Sequence, residues 1–577
     1  MLYLAASISP MQKVFIKRLI FITISAVFLC PVFVLADTQG QTRTFFIESD
    51  FDLDQRDKVN AILEKVSDNA YFYLEKNWYE DLTEKEKQNV NKSLNNLAKE
   101  FDEKIYPELT LVYGEEWNPG IDNDEHITIL FHQMKENAGG YFNNGDEYRR
   151  IQNPLSNERE MIYLNVDNLN YEIIKSCVAH EFTHLITFNQ KDRLRGVTED
   201  IWLNEARADY APTLIGYDEN YQGSNLQQRV KQFISSPSDS VTEWKNENSD
   251  YGIVNIFTQY LVEHYGTEIL SDSLKSSKTG INSIDKVLEK NDIDKTFSDI
   301  FTDWAIAVFV NDCRLGDKYC YKNENLENLK ITPSLILLPS TQKTNISLDY
   351  SIKQWSGNWY RIMGEQKELK LEFNGTGKVE FTVPYVLCKN GDQCSIDFLE
   401  LDSQQDGEIL LEDFGDNWTN LTLIPSIQSK ISGFTDSERS YDFSISVSAE
   451  VEKKEDEELI KQLEATIVEL QRQIAEIIAK INAILNQNNP EQKITQNLYS
   501  GMQNQQVSYL QEFLKQQGQD IYPEGLITGY FGVLTRNAVI RFQNKYADEI
   551  LKPLGLNLGT GLVGQMTRAK INELLTK

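Results

Sequence analysis

Positive charge is scarce in this chain. Across 577 residues, 57 Lys and Arg stand against 87 Asp and Glu, for a formal net charge of −30. Without a basic excess there is nothing to neutralise a phosphate backbone, so nucleic acid is excluded as a partner. Histidine is scarcer still, with five residues, and two of them, His180 and His184, fall four positions apart. Cysteine is limited to six residues. What is plentiful is material for packed cores: 41% hydrophobic and 11% aromatic residues exclude a disordered chain. The length is too great for one core and predicts about three or four domains.

The N-terminus reads as an export signal. Lys13, Lys17 and Arg18 precede the apolar run Leu19–Leu29, and Val34 and Ala36 put small residues at −3 and −1 before Asp37. This is the layout of a secretory signal peptide over residues 1–36, with Met11 as an alternative start. The apolar stretch Leu19–Ala36 is also just long enough to act as an uncleaved anchor. Pro31 and the cleavage-like site favour removal. Export predicts an oxidising compartment, where Cys313 with Cys320 and Cys388 with Cys394 form short-loop disulfides. Cys177 is left over and is expected to be a buried structural thiol.

Periodicity changes along the chain. Residues 37–105 carry helical patterns rich in Lys, Glu and Asn, while His126–His132 and Glu160–Asn165 read as strands. From Tyr171 to about Val308 the pattern is helical again. Residues 331–451 alternate in short runs separated by Gly, Asn and Asp, which predicts a β-sandwich. A charged hinge and heptads follow over 452–489. Ile460, Ile467, Ile474 and Ile481 take one seam position, and Leu463, Leu470, Ile477 and Ile484 the other. That seam predicts a coiled-coil helix and a homo-oligomer, with a rigid spacer or a helix packed on a neighbour as the alternative.

The two histidines sit in "HEFTH". One helical turn apart, they point the same way, with Cβ atoms about 6 Å apart, a spacing at which zinc takes both imidazoles. Glu181, about 100° around the helix, is displaced from them but reaches a water at the ion. Gly196 suits a turn to a second helix, "IWLNEARADYA". That helix would bring Glu205 in as third ligand, with Glu199 as the alternative. Asp209, one turn beyond Glu205, would accept a hydrogen bond from the far nitrogen of a ligand histidine. A fourth position would remain for water.

His180-Glu181-Phe182-Thr183-His184 with Asn204-Glu205 and Asp209 resembles the Glu-zincin, or thermolysin-like, metallopeptidases. The stretches "HEFTHLITF", "WLNEARADYA" and "YGIVNIFTQYLVEHYG" are similar to the hyicolysin-type secreted bacterial enzymes, over about residues 40–310. The resemblance implies an α+β zincin-like domain over 37–330, in which an edge strand above the active-site helix holds the substrate backbone. "HITILFH" or "IYLNVD" is the expected edge strand. Glu181 is the expected general base. Tyr251 is the candidate donor to the oxyanion, with His264 as the other. His126 and His132 read as surface or structural. The acidic run Asp122–Glu125 reads as a solvated turn, with a Ca2+ site as the alternative.

Residues 490–577 carry a second resemblance. "NLYSGMQNQQVSYLQEFLKQQG", "GLITGYFGVLTRNAVIRFQNKY" and "GTGLVGQMTRAKINELL" resemble a three-helix peptidoglycan-binding domain. Val507, Leu510, Phe513, Leu514, Val539, Ile540 and Phe542 fall at core spacing. Gly529 and Gly532 allow a turn that is expected to present Tyr530 and Phe531, with core packing as the alternative for Phe531. The whole reads as a multidomain zinc endopeptidase, secreted or cell-wall associated, acting on protein or peptide and tethered to peptidoglycan. The alternatives are a hydrolase of peptidoglycan stem peptides and a non-catalytic wall-binding protein.

Overall fold

The computed structural model describes residues 36–450, except 136–137, 339–343, 365–367, 390–392, 413 and 416, together with residues 493–575. Residues 1–35 of the expected signal peptide and the expected coiled coil over 452–489 lie outside the described residues. The chain divides into two compact units, Met1–Glu452 and Lys453–Lys577. Among the described residues, no helix is long and apolar enough to cross a membrane.

The first unit opens with a sheet where helices were expected. Strands β1 (Thr42–Phe46), β2 (Lys58–Val66) and β3 (Ala70–Glu75) precede α1 (Lys76–Asp81), α2 (Glu84–Glu100) and α3 (Tyr106–Tyr113). In β2, Val59, Ile62, Leu63 and Val66 imitate one face of a helix. The burial nevertheless alternates, with Val59, Ala61 and Leu63 inside, and the register shifts between Leu63 and Lys65. Strands β4 (Ile127–His132), β5 (Gly140–Phe142) and β6 (Met161–Asn165) complete six strands in the order β1-β2-β3-β4-β6-β5. β3, β4 and β6 run parallel, and β5 pairs antiparallel to β6 at one edge. Both strands proposed for the edge, β4 and β6, are therefore internal. The edge is β5, three residues long and too short to show alternation in the sequence.

Seven helices follow: α4 (Ile173–Phe188), α5 (Ile201–Leu214), α6 (Asn225–Ser235), α7 (Asn248–Tyr265), α8 (Glu268–Leu274), α9 (Gly280–Lys290) and α10 (Phe297–Val310). α4 is apolar nearly all round, as befits a helix buried under the sheet. Its exit runs through a π-helical turn to Gly196, whose φ of 65° favours glycine and reverses the chain into α5.

Residues 334–450 form two facing sheets. One, in the order β14-β10-β17-β8, contains β8 (Thr344–Ile352), β10 (Glu368–Asn374), β14 (Asp406–Glu412) and β17 (Tyr441–Glu450). The other, in the order β13-β12-β15-β9-β7, contains β7 (Ser334–Leu337), β9 (Tyr360–Met363), β12 (Pro384–Lys389), β13 (Gln393–Phe398) and β15 (Asn420–Leu423). A short pair, β11 (Phe381–Thr382) with β16 (Ser426–Ile427), closes one end. Leu369, Leu371 and Phe373 of one sheet share a core with Ile362, Leu421 and Leu423 of the other. Trp355 and Trp359 tie this layer to the helices: the Trp355 ring lies 5.0 Å from Phe297, and Trp359 Nε1 donates to the Ala305 carbonyl at 2.9 Å. Cys313–Cys320 and Cys388–Cys394 are disulfide-bonded.

The second unit holds α11 (Gln505–Gln516), α12 (Val533–Lys545), α13 (Ala547–Ile550) and α14 (Gln565–Leu575) around Leu510, Phe513, Phe531, Val539 and Phe542. Two buried glutamines organise it. Gln511 donates to Thr535 Oγ1 and accepts from the Gly529 N–H; Gln543 donates to Thr567 Oγ1 and accepts from the Gly561 N–H. Each pair of equivalents is 32 residues apart (543 − 511, 567 − 535, 561 − 529), so one amide-clasped turn is used twice. Tyr530 is 49% exposed but Phe531 is fully buried, so the turn presents only the first and the core-packing alternative holds for the second.

Candidate metal centre and cleft

α4 and α5 pack side by side and bring the sequence-predicted ligands together. His180 Nε2 lies 3.2 Å from His184 Nε2 and 3.3 Å from Glu205 Oε2, and His184 Nε2 lies 3.6 Å from the same oxygen. Four ligands at about 2.1 Å in a tetrahedron stand about 3.4 Å from one another, so these separations fit zinc. Glu205 Oε2 is buried without a hydrogen-bond donor, as an oxygen reserved for a cation should be. Among the described residues, no other group of three or more His, Cys, Asp or Glu offers ligand atoms within 4.8 Å of one another.

The electrostatics follow from burial and proximity. Burial opposes charge on Glu205, but the two imidazoles override it and hold its carboxyl well below the usual range. Burial likewise opposes charge on His184, and the Glu205 carboxylate raises it to about 9. Glu181 is 7% exposed, and burial pushes its carboxyl up against the lowering pull of His180 and His184.

The surrounding side chains orient these groups. His184 Nδ1 lies 3.1 Å from Asn204 Oδ1, which fixes the tautomer that leaves Nε2 free for a metal. Sequence reasoning assigned Asn204 no such role, although it adjoins Glu205 on α5. Asp209 faces His180 Nδ1 at 3.7 Å, beyond hydrogen-bond length. Its carboxylate instead accepts from Arg229 at 2.6 Å and from Asn255 at 2.8 Å. Glu199 is no ligand. It is buried between Lys191 and Arg207 at 3.1 and 2.7 Å and accepts from the Gly280 N–H.

Tyr251 reaches the site from the first turn of α7. Its ring lies 6.4 Å from that of His180, and its hydroxyl donates to Asn246 Oδ1 at 2.9 Å. The Arg229 guanidinium stacks 4.7 Å over the same ring. His264 lies 13 residues further along α7, about 20 Å away at 1.5 Å per residue. It bonds the Cys320 carbonyl and is not brought to the site. His126 pairs with Asp124, and His132 is buried beside Asp52. Cys177 is half-buried rather than enclosed and lines the cleft, with burial pushing its thiol up to about 12.

Cavities of about 890 and 520 Å³ flank the cluster and share Gly140, His180, Glu181 and Tyr251. β5 runs along both. Gly140 lies so close to the helix that a Cβ there would stand 3.1 Å from Glu181 Cγ and 2.6 Å from the Tyr163 carbonyl oxygen. The arrangement is a groove with a sheet-edge strand on one wall and, in its floor, a His180-His184-Glu205 cluster spaced to hold a metal ion.

Known proteins share parts of this chain. Residues 503–571 match the peptidoglycan binding domain family PG_binding_1. The neutral metalloprotease ShpI of Staphylococcus hyicus is 28% identical over 250 residues, covering 38% of this chain and 54% of that protein. The chain thus spans about half the length of the curated relative it matches. The relationship is one of distant homology to a metallopeptidase, joined to a C-terminal peptidoglycan-binding domain. Among solved structures, the pre-peptidase C-terminal domain of a Bacillus anthracis collagenase is 13% identical, with a TM-score of 0.15, over 20% of this chain and 94% of that one. The lysozyme inhibitor PliG of Aeromonas hydrophila is 13% identical, with a TM-score of 0.14, over 20% of this chain and 95% of that one.

Proposed function

We propose that this protein is an exported zinc endopeptidase held at the cell wall by its C-terminal domain. The observation that carries the reading is the triangle of His180, His184 and Glu205 ligand atoms, 3.2 to 3.6 Å on a side, in a groove walled by an open strand edge. His180, His184 and Glu205 would hold the ion; when bound, it supplies a Lewis acid that acidifies water and polarises the scissile carbonyl. The N–H and C=O groups of β5 pair with an extended substrate and lay its backbone across the cluster. Glu181, beside Gly140, takes a proton from the attacking water on its carboxylate and passes it to the leaving nitrogen. Asn204 keeps His184 oriented. Tyr251 donates its hydroxyl proton as a hydrogen bond to the oxyanion, after exchanging Asn246 for substrate.

Glu181→Gln tests the reading. The variant should keep its zinc and lose cleavage of a peptide library by about 10³-fold or more, and full proteolysis by it refutes the assignment. Tyr251→Phe should keep zinc and lower kcat by about 10²-fold.

The match at residues 503–571 favours one more reading, that the same centre cuts peptidoglycan stem peptides. Incubation with cell walls and with casein separates the two. Stem fragments without casein cleavage would favour the wall hydrolase. Zinc without activity on either substrate, or on a broad peptide library, would leave a non-catalytic wall-binding protein.

A further inference from the structure

Away from the zinc cluster, three segments that feed the sheet converge on buried carboxylates with no donors. Glu147 ends the 3-10 turn Asn144–Glu147 just beyond the edge strand β5; Glu160 immediately precedes β6; the turn at Gly120–Asp122 leads toward β4. Glu147 and Glu160 are each 3% exposed. Both carboxylate oxygens of Glu147 and Oε2 of Glu160 are buried without a hydrogen-bond donor, and the two carboxyls have only each other for a side-chain partner there. Only Glu160 Oε1 is satisfied, by the Ile121 N–H at 2.6 Å.

Three orphaned carboxylate oxygens in one place need an explanation, because each costs free energy unless something neutralises it. Among the described residues, no Lys or Arg pairs with either glutamate. The nearby arginines do not reach either glutamate: Arg149 donates to the Ile121 carbonyl at 2.6 Å, and Arg159 pairs with Asp37 at 2.7 Å and with Asp122 at 3.7 Å. Burial raises the pKa of Glu147 most, and the neighbouring charges of Glu160, Asp146 and Asp122, with a side-chain hydrogen bond to Glu160, add to it. Gly120 makes the approach: its φ of 82° favours glycine, and a Cβ there would collide with Glu160 Oε2 at 1.8 Å. The fold thus gathers negative charge here and leaves the lone pairs free.

We propose that Glu147 and Glu160 bind a calcium ion that is structurally separate from the zinc centre. Glu147 chelates through both oxygens and Glu160 through Oε2. Main-chain carbonyls and water complete the shell, and Asp122 adds charge from further out. Calcium suits the site better than magnesium, which keeps several of its waters and demands octahedral geometry that this buried pair does not offer. The acidic run 122–125 pointed to the neighbourhood, but the ligands lie in segments distant in sequence. The ion fastens the segment leaving β5, whose Asn143 and Asn144 line the cleft. It therefore holds the substrate edge in place and shields the 143–159 loop from cleavage.

The test uses full-length protein stripped of divalent ions, reloaded with zinc, then titrated with calcium. The wild type should take up one calcium per chain, and its melting temperature should rise by about 5 °C at 100-fold excess over Kd. Glu147→Gln and Glu160→Gln should lose the calcium and keep the zinc, whereas Glu205→Ala should lose the zinc and keep the calcium. Should a Gln variant not fold, Glu147→Asp keeps the charge but shortens its reach, and should weaken calcium binding roughly tenfold or more. A wild type that neither takes up calcium nor responds to it overturns the proposal, leaving a proton shared between two glutamates. Calcium uptake unchanged in Glu147→Gln or Glu147→Asp overturns it equally.

Discussion

Asn204 on α5 holds His184 on α4: the amide oxygen stands 3.1 Å from the imidazole Nδ1. The contact passes between the two helices that carry the proposed zinc ligands, so both helices set where those ligands stand. Asn204→Ala should weaken zinc binding by about 10- to 100-fold while leaving the fold intact. Competition for zinc against a chelator of known affinity measures this, and an unchanged affinity would show that packing alone orients the ring.

The approach of β5 to α4 gives a second expectation. An alanine at Gly140 places its Cβ 2.6 Å from the Tyr163 carbonyl and 3.1 Å from Glu181 Cγ. One side is main chain and cannot yield, so the strand or the helix must shift, at about 1–3 kcal/mol. Gly140→Ala should keep its zinc and lose cleavage efficiency at least tenfold, because Glu181 moves with the helix.

Glu199 sits between Lys191 and Arg207, all three buried. Glu199→Gln leaves two buried cations without their carboxylate and should cost about 3–5 kcal/mol of stability, with the zinc content of the folded protein unchanged. The pH dependence has a definite sign. Burial alone would raise this carboxyl, but Arg207 and Lys191 override it and hold the folded-state pKa below 4.5. The stability it contributes is therefore complete above about pH 4.5 and lost as the pH falls through the folded value. Urea titrations of wild type and Glu199→Gln should converge in acid and diverge near neutrality.

In the C-terminal unit, adjacent aromatics should separate binding from folding. Tyr530 is half exposed and Phe531 is in the core. Tyr530→Ala should reduce co-sedimentation of the full chain with insoluble peptidoglycan and leave the melting curve alone. Phe531→Ala should cost that unit about 3–5 kcal/mol.

The chemistry was easier to read from sequence than its setting. Two imidazoles at i and i+4 share a direction on any helix, and Glu205 with Asp209 repeat the same spacing, so the geometry followed from α-helical pitch alone. β2 misled because Ile62 packs from the opposite face of the strand, while Val66 returns to the Val59 face only through the register shift between Leu63 and Lys65, which no pattern of residue types announces. β5 was invisible, because three residues are too few to show alternation. Tyr530 and Phe531 were expected on one surface, yet extended backbone sends neighbours to opposite sides. Glu147 and Glu160, 13 positions apart (160 − 147), lack any regular spacing, and only the folded chain shows that they meet.

A protein that grips other polypeptides by their main chain must leave one flank of its sheet unfinished, and an unfinished flank invites its own copies. Here that flank is Gly140–Phe142, about 10 Å of strand. On the proposed reading it aligns a guest for a single cut, while three residues are too brief to template a stack of identical molecules along this edge.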